Sequence, residues 1–149
     1  MAPSEYFIRL QKGIIGGFAP PTPSAILKLV KSAGDSNIIV SESTRPDGQP
    51  ELQQQPEKTL DASDGKVESL ITELYEILKN LPMESPPGSE DIYRMDTSIA
   101  LGSEDLEWHN GGPQGCVGDT SYVQPSEEQR AGFRRAVDVV WELVGMANP

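Results

Sequence analysis

Only one cysteine, Cys116, occurs in the 149 residues, so no disulfide can form within the chain and the fold does not depend on an oxidising compartment. The single histidine, His109, cannot complete a four-ligand structural zinc site with that cysteine, and no carboxylate spacing fits a calcium loop. No metal and no other cofactor is expected. No apolar run approaches the roughly 18 residues needed to cross a bilayer. Met1-Ala2-Pro3-Ser4-Glu5 also lacks the basic region and apolar stretch of a secretory signal. Basic side chains are scarce: 12 stand against 23 acidic ones, and the net charge of −11 repels a phosphate backbone or an anionic membrane surface. Neither nucleic acid nor membrane is therefore an expected partner. Together these shortages predict a soluble, cytoplasmic protein whose excess of acid serves solubility first.

The length suits a single domain spanning residues 1–149, large enough to withdraw about two-thirds of its unfolded surface from water. A 36% apolar content together with 14 glycines and 13 prolines predicts a small core with generous loops. Tyr6, Ile8 and Leu10 alternate with Phe7, Arg9 and Gln11, the period-two pattern of a half-buried strand that could continue to Ile15. Residues 24–31 read as a strand returning on the first, and residues 37–43 as a third, short one. Between the first two, Gly16 and Gly17 admit the positive φ of a chain reversal, and Pro20, Pro21 and Pro23 stiffen its return.

Residues 44–62 carry prolines and glutamines without a repeating apolar face, which predicts a long polar loop and the most mobile internal segment. Val67, Leu70, Ile71, Leu74, Leu78 and Leu81 then recur at three- and four-residue steps, one face of an amphipathic helix opened by Ser63 or Asp64 and stopped by Pro82. Alternation resumes from Tyr93 through Met95, Thr97, Ile99 and Leu101, and residues 106–110 read as its hairpin partner. Ser126 followed by Gln129 fits a capping box, ahead of a second helix striped by Phe133, Ala136, Val137, Val140 and Val144. The order predicts an α+β fold: an antiparallel sheet of four to five strands, built from two hairpins, packed on two amphipathic helices.

Chemical candidates are few. His109 lies seven residues before Cys116, and with Tyr93 and Trp108 the two could line a ligand pocket between sheet and helices, the basis for a small enzyme or ligand-binding protein. A reactive thiolate, however, needs a helix N-terminus or a held cation, and Cys116 sits in a glycine-rich loop before any predicted helix start. No catalytic residue is assigned, and the balance leans away from an enzyme. Glu104, Asp105 and Glu107 surround a hairpin end, where acids ordinarily serve solvation.

The tetrapeptide Gly16-Gly17-Phe18-Ala19, the Leu81-Pro82 helix end, Tyr93 at the second hairpin and the helix from Phe133 to Val144 together resemble the emfourin (protealysin-inhibitor) family, small bacterial inhibitors of thermolysin-like metalloproteases. The likeness in layout extends over most of the chain. It implies a non-catalytic protein-binding module, with a metalloprotease as partner and Gly16, Gly17, Phe18, Ala19 and Pro20 as the contact surface. The chain departs from that family in three places: Pro20-Pro21-Thr22-Pro23 stands where a shorter turn is expected, residues 44–62 look inserted, and residues 111–123 are enlarged. A proline-stiffened loop loses little entropy on docking, and Phe18 would supply an apolar anchor.

Overall fold

A computed structural model describes residues 4–14, 23–45, 52–85, 89–111 and 120–148, which form seven strands and two helices. Strands β1 (Tyr6–Lys12), β2 (Ala25–Lys31) and β3 (Asn37–Thr44) form an antiparallel meander. Two short pieces, β4 (Gln53–Gln54) and β5 (Lys58–Asp61), share the outer edge of β3. Helix α1 (Gly65–Lys79) follows. Then β6 (Thr97–Ser103) docks on the free side of β1, β7 (Glu107–His109) closes a hairpin beyond it, and α2 (Glu127–Met146) ends the order. The sheet runs β4-β3-β2-β1-β6-β7, with β5 beside β4 on β3, and every pairing is antiparallel.

The alternation in β1 sorts its side chains between two environments. Tyr6, Ile8 and Leu10 are buried under the helices with Leu27 and Leu29 of β2, Ile38 and Val40 of β3, Ile99 and Leu101 of β6, and Trp108 of β7. The helices add Leu70, Ile71, Leu74 and Leu78 from α1 and Phe133, Ala136, Val140 and Leu143 from α2 to the same core. Each fully buried Leu or Ile contributes about 1.5–3 kcal/mol relative to exposure. Asp64 caps α1 by accepting from the Lys66 and Val67 amides, and Ser126 and Gln129 form the reciprocal box on α2. A two-pronged bond from Arg135 to Glu73 ties the helices together on their solvent side, at 2.6 and 3.0 Å. Beyond α2, Asn148 exchanges both backbone bonds with Thr59, fastening the chain's end to the outer edge of β5.

The α+β architecture agrees with the sequence reading, and the sheet is wider than the four to five strands expected. The two extra strands lie within residues 52–62, part of the stretch read as a polar loop. There β5 pairs with β3 and buries only Leu60, while β4 is a two-residue ladder of exposed glutamines. One buried side chain makes no period, so neither strand leaves a pattern to read. The strand expected from Tyr93 begins instead at Thr97, because Arg94 and Asp96 adopt positive φ (57° and 52°), which no extended strand accommodates.

Candidate functional site

Lys12, Ala25, Thr44 and Thr97 form one cross-strand row at an end of the sheet, and the segments on either side of residues 15–22 and 46–51 meet there. Each root is tied down. The Gly13 amide donates to the Asp96 carbonyl at 2.7 Å, and the Ile14 amide to the Asp96 carboxylate at 2.8 Å, while the Ile14 side chain is fully buried. Gly13 itself takes φ of 96°, a conformation that costs glycine little. On the returning side, the Ser24 amide donates to the Lys12 carbonyl at 2.8 Å, and Arg45 donates from its amide to Ser24 and from Nε to the Pro23 carbonyl.

Asp96 is itself held by Asp91, whose carboxylate accepts from the Arg94 amide at 3.1 Å and the Asp96 amide at 2.9 Å. Two non-glycine residues with positive φ within three positions store backbone strain of order 1–3 kcal/mol each, and Asp91 is the local acceptor that offsets it. Burial pushes the Asp91 carboxyl up, against the downward pull of those same hydrogen bonds. The second hairpin ends nearby. Buried Asn110 donates to the Thr97 carbonyl and accepts from the Ile99 amide, and the Gly111 amide donates to Glu84 Oε2 at 2.6 Å. Ser121 extends the web by accepting from the Ser85 amide and donating its own amide to Glu90. The flanks of residues 86–88 and 112–119 thus converge on the same end as those of 15–22.

Gly16, Gly17, Phe18, Ala19 and Pro20, expected as the contact surface, lie outside the described residues, as does Cys116. The other pocket candidates are divided between two faces. Tyr93 stacks on Phe133 at 4.3 Å, with Trp108 6.4 Å away, and both polar groups are engaged: the phenol donates to the Pro82 carbonyl at 2.5 Å and the indole to the Leu81 carbonyl at 3.0 Å. Both bonds tie the partly buried Leu81 and Pro82, just beyond α1, to this aromatic cluster. His109 is one residue from Trp108 and therefore points to the opposite side of the sheet, exposed. Tyr93 and Trp108 are brought together and His109 is not. Among the described residues no group of three or more His, Cys, Asp or Glu is placed to hold a metal ion, and no helix is long and apolar enough to cross a membrane.

Sequence reasoning missed Asp91, Asp96, Ser24 and Arg45 as the roots of this end. Their work is done mostly through backbone bonds across long sequence separations, and the one local trace, an Asp able to accept from amides three and five residues on, is common to many turns. Comparison with family models, with curated proteins and with solved structures finds no match to this chain.

Proposed function

We propose that the chain is a non-catalytic protein-binding module that presents Gly16-Gly17-Phe18-Ala19-Pro20 to a protein partner, with inhibition of a thermolysin-like metalloprotease as its most concrete form. The observation that supports this reading is the doubly anchored root of residues 15–22: Gly13 and Ile14 fixed to Asp96 on one side, Ser24 and Arg45 fixed to each other and to Lys12 on the other. A loop whose ends cannot drift loses less entropy on docking, so more of each contact remains as affinity. Phe18 is the only large apolar side chain between Gly16 and Pro23 and is the expected anchor.

Titration of a thermolysin-type metalloprotease with the purified protein tests it. Inhibition at near-stoichiometric concentration is expected, with the protein itself left uncleaved over the assay. Phe18→Ala should weaken inhibition by about 2 kcal/mol or more, as hot-spot truncations do, while the thermal midpoint stays put. No inhibition across several such proteases, or a fall in stability matching the loss of inhibition, would remove the proposal.

A further inference from the structure

The face of the sheet turned away from the helices carries an ordered pattern of its own. Phe7, Val30 and Ile39 are direct cross-strand partners in one row, and they remain 49%, 42% and 41% exposed. Across β6 that row continues to Gly102, whose missing side chain lets the Phe7 ring lie flat on the strand: a Cβ there would stand 2.3 Å from the ring. An aromatic covering a cross-strand glycine is held in place, so Phe7 is a fixed apolar platform. A shallow hollow of about 440 Å³ opens beside it, its charged lining made by Glu5, Lys31, Glu104 and Glu107.

The adjacent row is cationic, with Arg9 on β1 directly opposite Lys28 on β2. Like charges placed directly opposite destabilise a sheet. Among the described residues neither has a carboxylate within salt-bridge distance; the ion pairs found there join Lys79 to Glu76 and Arg135 to Glu73 and Glu142. Arg9 donates to Gln11 Oε1 at 2.9 Å, and its partial burial lowers its pKa, so the guanidinium has lost solvent without gaining a counter-charge among the described residues. Among the described residues, the two central sheet cations are thus left without a carboxylate partner.

We propose that this open face is a second docking surface, distinct from the end that carries the roots of residues 15–22, and that it takes a partner protein's surface with an apolar centre and carboxylates on the side that lies over Arg9 and Lys28, away from Glu5, Glu104 and Glu107. The partner's apolar side chains would cover Phe7, Val30 and Ile39, and its carboxylates would pair with Arg9 and Lys28 one strand repeat away. The net charge of −11 disfavours acidic partners at long range, but beyond about 8 Å that repulsion is screened at physiological salt. Only a partner that sets its carboxylates over the Arg9–Lys28 row recovers the contact energy, and this makes the surface selective.

The test uses two synthetic helical peptides that share one leucine stripe and differ only in the residues bordering it on one side, Glu in one and Lys in the other. Each is titrated into the isotope-labelled full chain by NMR. The Glu-bordered peptide should shift the amides of Phe7, Arg9, Lys28, Val30 and Ile39, and the Lys-bordered one should not. Lys28→Glu, at an exposed position, should weaken the Glu-bordered peptide about tenfold or more and gain the Lys-bordered one. Phe7→Ala should weaken the Glu-bordered peptide as well. Equal binding of the two peptides, no binding of either, shifts confined to the helices or to residues 13–24 and Arg45, or indifference to Lys28→Glu would each overturn the proposal. So would tighter binding of a poly-dT oligonucleotide, or a dimer in sedimentation that Phe7→Ala disperses, which would make a second copy the occupant.

Discussion

Asp96 carries more than its size suggests, since its carbonyl and carboxylate hold the Gly13 and Ile14 amides while its own backbone sits at a φ of 52°. Asp96→Ala keeps the strain and removes the carboxylate acceptor. It should cost about 1–3 kcal/mol in urea unfolding and weaken any inhibition that depends on the loop, whereas Asp96→Asn, which tolerates the same φ and still accepts, should restore most of both. Leu74 sits at the other extreme, fully buried with no polar role, and Leu74→Ala should cost about 2–5 kcal/mol by the same measurement. A loss below about 0.5 kcal/mol would mean that α1 is not packed as described. Burial also pushes the Tyr6 phenol up to about 12 and raises that of Tyr93, where Glu84 adds to the effect. A raised folded value means full stability below the unfolded tyrosine value of about 10 and loss as pH climbs through the folded ones. The urea midpoint should therefore fall above pH ~10, and Tyr6→Phe should flatten part of that fall.

Elements were legible wherever an apolar period ran long enough. The stripe Val67, Leu70, Ile71, Leu74 and Leu78 located α1, and Ser126 with Gln129 located the start of α2, because a helix face and a capping box are written within a few turns of chain. Ser126→Ala should accordingly cost about 0.5–2 kcal/mol, read from thermal or urea unfolding, since it leaves the Gln129 amide without its acceptor. The edge pieces β4 and β5 were not legible, being specified by β3 beside them and by the Asn148 clasp on Thr59 more than by their own residues. Tyr93 misled because its alternation with Met95 and Thr97 is real, yet the backbone between them turns left-handed at Arg94 and Asp96. The candidate site divided in the same way. Tyr93, Trp108 and His109 could be picked out as residue types, but only the pleat of β7 turns Trp108 into the core and His109 out, and only the turn before β6 brings Tyr93 onto Phe133.

At the scale of the molecule, the sheet separates three jobs. One face with the helices makes the core, the other presents an apolar row beside Arg9 and Lys28, which have no carboxylate within salt-bridge distance among the described residues, and one end gathers the roots of residues 15–22, 46–51, 86–88 and 112–119. The proposed function rests on that last job, the fixed roots on either side of residues 15–22. Amide hydrogen exchange on the protein alone and mixed with a thermolysin-type metalloprotease tests that account most directly. It predicts slowed exchange in the complex at residues 13–24 and at Arg45, with the helices and the Phe7–Val30–Ile39 row unchanged. Protection confined to α1 and α2, or no change anywhere at concentrations where the protease is saturated, would contradict it.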